Sequence, residues 1–286
     1  MKIRNDGLPE PLYRVLENLT YDRTVTQNRY SITELNSPAK MVWLKRRHDS
    51  EIIVDASELL WRLFGTMIHK VMELYDNPNA LKEEKLVEKI NGCQIVGKLD
   101  LLVYKKITDY KITSVWTHIY GSRVAEWTTA QNMYAWLFRK ATFEVEELEI
   151  VELFRDWSKG RWELEKGGGY PWRVETVKLD LWDTDKTEEV IRAHLYNITQ
   201  YENTSDDGIP ECSATERWED PKKWAVMKGK NKRAIKLYDN QDDAEKHAES
   251  NDDLWVQERV GTPKRCLDYC DVAPFCHFYK QLVKEE

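Results

Sequence analysis

The sequence contains no run of about 18 apolar residues, so no stretch of it reads as a membrane-spanning helix. It shows no short apolar segment near its start of the kind that directs secretion, and a cytoplasmic protein is expected. There is no surplus of basic charge. Forty-three Lys and Arg against 50 Asp and Glu leave a net charge of −7, which excludes a bulk polycation. Any contact with nucleic acid has to come from local basic surface. Cysteine is scarce, five in 286 residues, which argues against a disulfide framework in a cytosolic chain. No internal repeat and no low-complexity segment is present. The length suffices for one large domain or a domain with a subdomain. Twelve Trp suit either core packing or stacking on bases, and composition does not separate the two.

The stretch Val96-Gly97-Lys98-Leu99-Asp100, running through Tyr104 to Asp109-Tyr110-Lys111, reads as two strands joined by a tight turn at Lys105 and Lys106. Asp100 falls in the first strand. Asp109 and Lys111 share one face of the second, because side chains two apart point the same way. Two carboxylates and a lysine converging on a hairpin can hold a divalent metal and a water nucleophile. Taken alone, the same residues also fit a surface ion pair. Upstream, Asp55-Ala56-Ser57-Glu58 has capping-box spacing and Leu59 to Tyr75 has helical periodicity. Gly65, His69 and Glu73 lie four apart on one face of that helix, where His69 is either an incidental surface residue or a group aimed at the hairpin.

After the hairpin, a helix is expected over Ser122 to Lys140, then strands over Glu146 to Phe154 and Trp172 to Leu181, then a helix over Thr184 to Tyr201. That order predicts a mixed α/β core. The polar, turn-rich run Asn203 to Pro210 marks a boundary, giving expected domains of residues 1–205 and 206–286. In the second, a small β-β-α-β insert lies between Cys212 and Cys266. Seven basic residues and no acid occur between Lys222 and Lys236. Lys228, Lys230, Lys232 and Arg233 form a candidate DNA-binding patch, with a solvated hairpin tip as the plain alternative. Cys266, Cys270 and Cys276 with Cys212 supply four thiolates. The run lacks paired C-x2-C knuckles, so a [4Fe–4S] cluster is the first expectation and a tetrahedral zinc site the second.

The ordered set of His69, Gly97-x-x-Asp100, Asp109-Tyr110-Lys111 and four late cysteines resembles the PD-(D/E)xK nuclease superfamily. It is most similar there to RecB-like exonucleases with an iron–sulfur cluster, including CRISPR-adaptation nucleases and phage exonucleases. The resemblance implies a restriction-endonuclease-like core, a mixed central sheet flanked by helices, with a cysteine-clasped C-terminal subdomain. It implies Mg2+ or Mn2+ held by His69, Asp100, Asp109 and the backbone carbonyl of Tyr110, with Lys111 positioning or deprotonating water. Gln131 and Tyr134 would orient the lysine or the DNA backbone. This chain departs from the pattern in having Asp109 where Glu is frequent and in spacing Gln131 and Tyr134 three apart rather than four. It also leaves three residues between Cys266 and Cys270 where some relatives have two.

The function so implied is a metal-dependent deoxyribonuclease. It would be an exonuclease acting on free or single-stranded DNA ends in recombination, repair or CRISPR-like processing, in a bacterial or phage-infected cell. A DNA-end-binding protein that keeps the fold without cutting is the alternative. A redox protein is disfavoured, because no flavin or nicotinamide motif is present.

Overall fold

The structure, a computed structural model, describes residues 1–18, 26–165 and 168–284. The chain divides into two compact units, Met1–Asn203 and Thr204–Glu286.

The first unit opens with β1 (Lys2–Arg4), α1 (Glu10–Asn18), β2 (Arg29–Ser31), α2 (Ile32–Leu35) and α3 (Ala39–His48). Ser31 and Glu34 form a reciprocal capping box that starts α2, which satisfies backbone donors that the helix leaves open. The basic end of α3 is used in packing: Arg46 lies 4.3 Å over the Tyr30 ring and pairs with Glu34 at 2.9 Å. β3 (Ile53–Asp55) leads through a short 3-10 turn into α4 (Leu60–Met72). Asp55 caps that turn by accepting from the Ser57 N–H, two residues on, where a capping box would engage the third.

Five strands follow in succession: β4 (Leu81–Lys82), β5 (Lys85–Ile90), β6 (Cys93–Lys98), β7 (Leu101–Val103) and β8 (Lys106–Thr113). α5 (Val115–Tyr120) and α6 (Val124–Lys140) then cross over to β9 (Glu147–Phe154), and α7 (Lys159–Leu164), β10 (Val174–Leu179) and α8 (Thr184–Thr199) complete the unit. The main sheet runs β10-β9-β8-β7-β4, with β8 and β9 parallel and the other neighbours antiparallel. A second sheet runs β2-β6-β5, and β1 pairs with β3. The fold is therefore mixed α/β, as expected. The parallel pair needs a long crossover, and the helical span between Val115 and Lys140 provides it. α6 buries Trp127, Met133, Trp136, Leu137 and Phe138.

Two details depart from the reading of the sequence. The run from Val96 to Tyr104 is not one strand: β6 belongs to the smaller sheet and β7 to the larger, so Asp100 sits in the two-residue joint between them. The hairpin turn is centred one residue earlier than expected. Tyr104 and Lys105 hold φ of 50° and 62°, as a tight two-residue turn requires, and Lys106 already belongs to β8.

Gly97 on β6 is required by close approach. A Cβ there would stand 2.6 Å from Ile32 Cδ1, 2.6 Å from Leu137 Cδ1 and 2.9 Å from Tyr134 Cε1. Only a residue without a side chain lets α2 and α6 lie this near the strand.

The second unit holds β11 (Lys223–Lys228), β12 (Lys236–Tyr238), α9 (Gln241–Ala248) and β13 (Leu254–Arg259), the expected β-β-α-β order, with β11 central in its sheet. A π-turn at Arg265–Tyr269, a 3-10 turn at Ala273–Phe275 and α10 (His277–Leu282) follow.

Candidate metal centre

Alternation along β8 and β9 sets the base of the site. The two strands are in parallel register, pairing Ile107 with Leu148, Asp109 with Ile150 and Lys111 with Glu152, so these six side chains share one face. The Asp109 side chain is almost fully buried, at 10% exposure, and its Oδ2 lies 2.5 Å from Lys111 Nζ. From α6, Gln131 donates through Nε2 to Asp109 Oδ1 at 3.0 Å. Burial raises the Asp109 carboxyl above the usual carboxylate range, against the pull of Lys111. Burial pulls the Lys111 ammonium down, but Asp109 and Asp100 together outweigh it and raise it above its ordinary value.

A second set of donors converges beside this pair. His69 on α4 places Nδ1 3.2 Å from Glu83 Oε1 and 3.2 Å from Asp100 Oδ1. One donor atom from each of these three residues lies within 4.8 Å of the others, the one such group among the described residues. Asp100 is held by the Tyr110 backbone N–H, which donates to its Oδ2 at 2.9 Å. That bond ties the joint between the sheets to β8. Contact with the Asp100 carboxylate raises His69 above the usual histidine value, while burial opposes it.

The set fits a divalent cation. One imidazole nitrogen and two carboxylates are a common donor set for Mn2+. His69 Nδ1 and Asp109 Oδ2 are both buried and stand at ion-pair distance from charged neighbours, without the alignment of a hydrogen bond. Buried polar atoms left this way are costly unless a ligand satisfies them.

Of the residues singled out from the sequence, His69 and Asp100 enter the donor group, and Asp109, Lys111 and Gln131 form the adjoining cluster. Tyr110 reaches the site through its backbone N–H. Tyr134 lies with its ring edge toward Gly97.

Glu83 was not anticipated. It stands in the charged run Lys82-Glu83-Glu84-Lys85, which looks like a solvated turn. The signal that locates it is the dipeptide Asn91-Gly92, with φ of 49° and 77°, a hairpin turn that fixes the β5–β6 register. That register pairs Lys85 with Lys98 and, continued by two residues, sets Glu83 opposite Asp100. The Glu83 N–H does donate to the Asp100 carbonyl at 3.1 Å. Glu83 has φ of 53°, a conformation costing a non-glycine residue about 1–3 kcal/mol, and its other oxygen pairs with Lys98.

In the second unit Cys212, Cys266, Cys270 and Cys276 are each half-buried. Burial pushes the Cys212 thiol up to about 12, and the other three sulfurs add to the rise. Burial likewise pushes Cys266 up to about 11. Arg217 donates to the Cys212 carbonyl at 2.6 Å, and its own carbonyl accepts from the Arg265 N–H at 3.0 Å, joining the two cysteine-bearing segments. Lys228 ends β11, Lys230, Lys232 and Arg233 follow it, and all four are exposed. Lys222 and Lys223, by contrast, are paired with Glu258 and Asp239.

No protein-family model matches this chain, and no curated protein matches it. Solved structures do. The crystal structure of SSO0001 is 17% identical with a TM-score of 0.47, covering 68% of this chain and 86% of that one. A phage-related exonuclease from Haemophilus somnus 129PT is 13% identical with a TM-score of 0.30, covering 67% and 79%. An alkaline exonuclease from Laribacter hongkongensis is 11% identical with a TM-score of 0.35, covering 67% and 93%. With identities and scores this low, the functional reading rests on the site itself.

Proposed function

We propose that the chain is a divalent-metal-dependent DNA nuclease that removes nucleotides from DNA ends. The observation that carries this reading is the His69–Glu83–Asp100 donor group set beside the buried Asp109–Lys111 pair. His69, Asp100 and Glu83 would hold the cation, with Asp109 and the Tyr110 carbonyl completing its shell. An imidazole ligand favours Mn2+ over Mg2+. A bound cation would lower the pKa of its water and offset charge on the scissile phosphate. Lys111, kept cationic by Asp109 and Asp100, would orient that water and stabilise the charge developing on phosphorus-bound oxygen. Gln131 fixes the Asp109 carboxylate, and Tyr134 would orient the DNA backbone.

The exposed Lys228, Lys230, Lys232 and Arg233 would meet DNA phosphates, a contact weakened by salt. We assign the four thiols of the second unit to a structural [4Fe–4S] cluster, with zinc as the alternative. Arg217, which bonds to both the Cys212 and the Arg265 backbone, brings together the two segments that carry these thiols. Visible absorbance with acid-labile sulfide would mark iron–sulfur, and stoichiometric colourless zinc would replace it.

The test is end-labelled linear and circular DNA incubated with Mn2+, comparing the wild-type protein with Lys111→Ala. Loss of linear DNA alone, slowed on the order of 10²- to 10³-fold by the substitution, is expected. Cutting of circles would make the activity endonucleolytic. DNA binding without cleavage would leave an end-binding protein instead.

A further inference from the structure

β9 carries a group that the proposed chemistry has not used. Leu148, Ile150 and Glu152 alternate onto the buried face of the strand at 2%, 0% and 0% exposure. A carboxylate is thus placed where its neighbours along the strand are aliphatic, at a position that costs several kcal/mol unless the charge is matched. Glu152 is the register partner of Lys111, so the two Cα atoms stand about 4.8 Å apart with side chains on the same face.

Its Oε2 lies 2.5 Å from Nδ1 of His118, while Oε1 is buried with no hydrogen-bond partner. His118 is on α5, the helix that leaves β8 directly, and its side chain keeps 28% of its surface exposed. The start of α5 is pinned to the end of β9. Asp156 accepts from the Ser114 hydroxyl at 2.6 Å and the Val115 N–H at 2.8 Å. The imidazole also rests edge-on against Phe154, with centroids 5.5 Å apart. Nδ1 is the nitrogen that meets the carboxylate, so Nε2 is the one not engaged by Glu152.

The imidazole pairs with Glu152 from β9, whose register partner on β8 is Lys111, and Asp156 beyond the end of β9 holds the start of its helix. A tether alone would not need a buried carboxylate. A carboxylate behind a part-exposed imidazole holds the ring in one orientation, as a group that hands a proton to a substrate requires.

Resting on the nuclease reading, we propose that His118, held by the positioning residue Glu152, is the general acid that protonates the departing bridging oxygen of the cleaved phosphodiester. Water oxygen bonds to phosphorus as the bond from phosphorus to that bridging oxygen breaks. The electron pair goes to the departing oxygen, which takes the proton from His118 Nε2. The attacking water loses its proton to solvent, and His118 is reprotonated from solvent.

The experiment uses the full-length protein with Mn2+ and two oligonucleotides. One has oxygen and the other sulfur at the departing bridge, identified by which product end carries the phosphate. A thiolate leaves without an acid. His118→Gln is expected to slow the oxygen ester on the order of 10²-fold and to cut the sulfur ester near the wild-type rate. Glu152→Gln keeps the side-chain volume and should show the same oxygen-selective loss, smaller in size. Equal slowing of both esters, or no slowing in either variant, overturns the assignment while leaving the nuclease reading intact. A wild-type protein that cuts neither ester overturns both.

Discussion

Gln131 Nε2 donates to Asp109 Oδ1 at 3.0 Å, so the helix after the lysine strand reaches back to the carboxylate two residues before Lys111. Both groups are buried. Removing the amide leaves a buried oxygen without its donor, which costs about 1–3 kcal/mol. Gln131→Ala is therefore expected to lower stability by that amount in metal-free protein, read by thermal unfolding. Added Mn2+ should recover part of the loss, because a cation satisfies the same carboxylate.

Glu83 makes a prediction that is independent of Lys111. If it belongs to the donor group, Glu83→Gln weakens Mn2+ binding about 10- to 100-fold by calorimetry, the range seen when a metal site loses a supporting group. Unchanged affinity would remove Glu83 from the site.

His69 sets a pH dependence. Its folded-state value is raised by Asp100, so its contribution to stability is fully present below the unfolded value of about 6.5. That contribution disappears as pH rises through the higher folded value. Melting of metal-free wild type should fall across this window more than melting of His69→Gln. Mn2+ needs the neutral imidazole, so its affinity runs the opposite way and strengthens with rising pH.

Cys212 and Cys266, pushed up to about 12 and about 11, are thiols at neutral pH when no metal is bound. Iodoacetamide at pH 8 should modify them far more slowly than a free cysteine, since the thiolate is the nucleophile. If the proposed metal binds at these thiols, it must expel their protons, detectable as acid release in weakly buffered solution.

Gly97→Ala inserts a methyl group 2.6 Å from Ile32 and from Leu137. Overpacking of this kind costs about 1–3 kcal/mol. A lowered melting temperature with intact metal affinity is expected if the glycine serves packing alone.

Much of this arrangement was legible in the sequence because it depends on short-range periodicity. Asp109 and Lys111 sit two apart on a β-branched run, which puts them on one face however the rest folds. Gln131 lies on a long helix whose apolar positions orient it toward the sheet. Asp100 was misplaced for a different reason. Its neighbours alternate smoothly from Val96 to Tyr104, and nothing local reveals that β6 and β7 pair with different partners. Strand partnership is a tertiary choice. Glu83 and Glu152 escaped notice on the same ground, since each becomes meaningful only through its opposite number on the next strand, Asp100 for one and Lys111 for the other.

The joint at Leu99 and Asp100 gives the site a mechanical character. His69 and Glu83 face Asp100 from one side, while Tyr110 grips its other oxygen from β8. The donor triangle therefore straddles a seam, and its dimensions record how far one sheet has slid past the other. A slip of one ångström would spread the ligands without breaking either sheet. Mild denaturant should accordingly release Mn2+ before the far-ultraviolet dichroism changes, making metal affinity a gauge of shear inside a protein that still counts as folded.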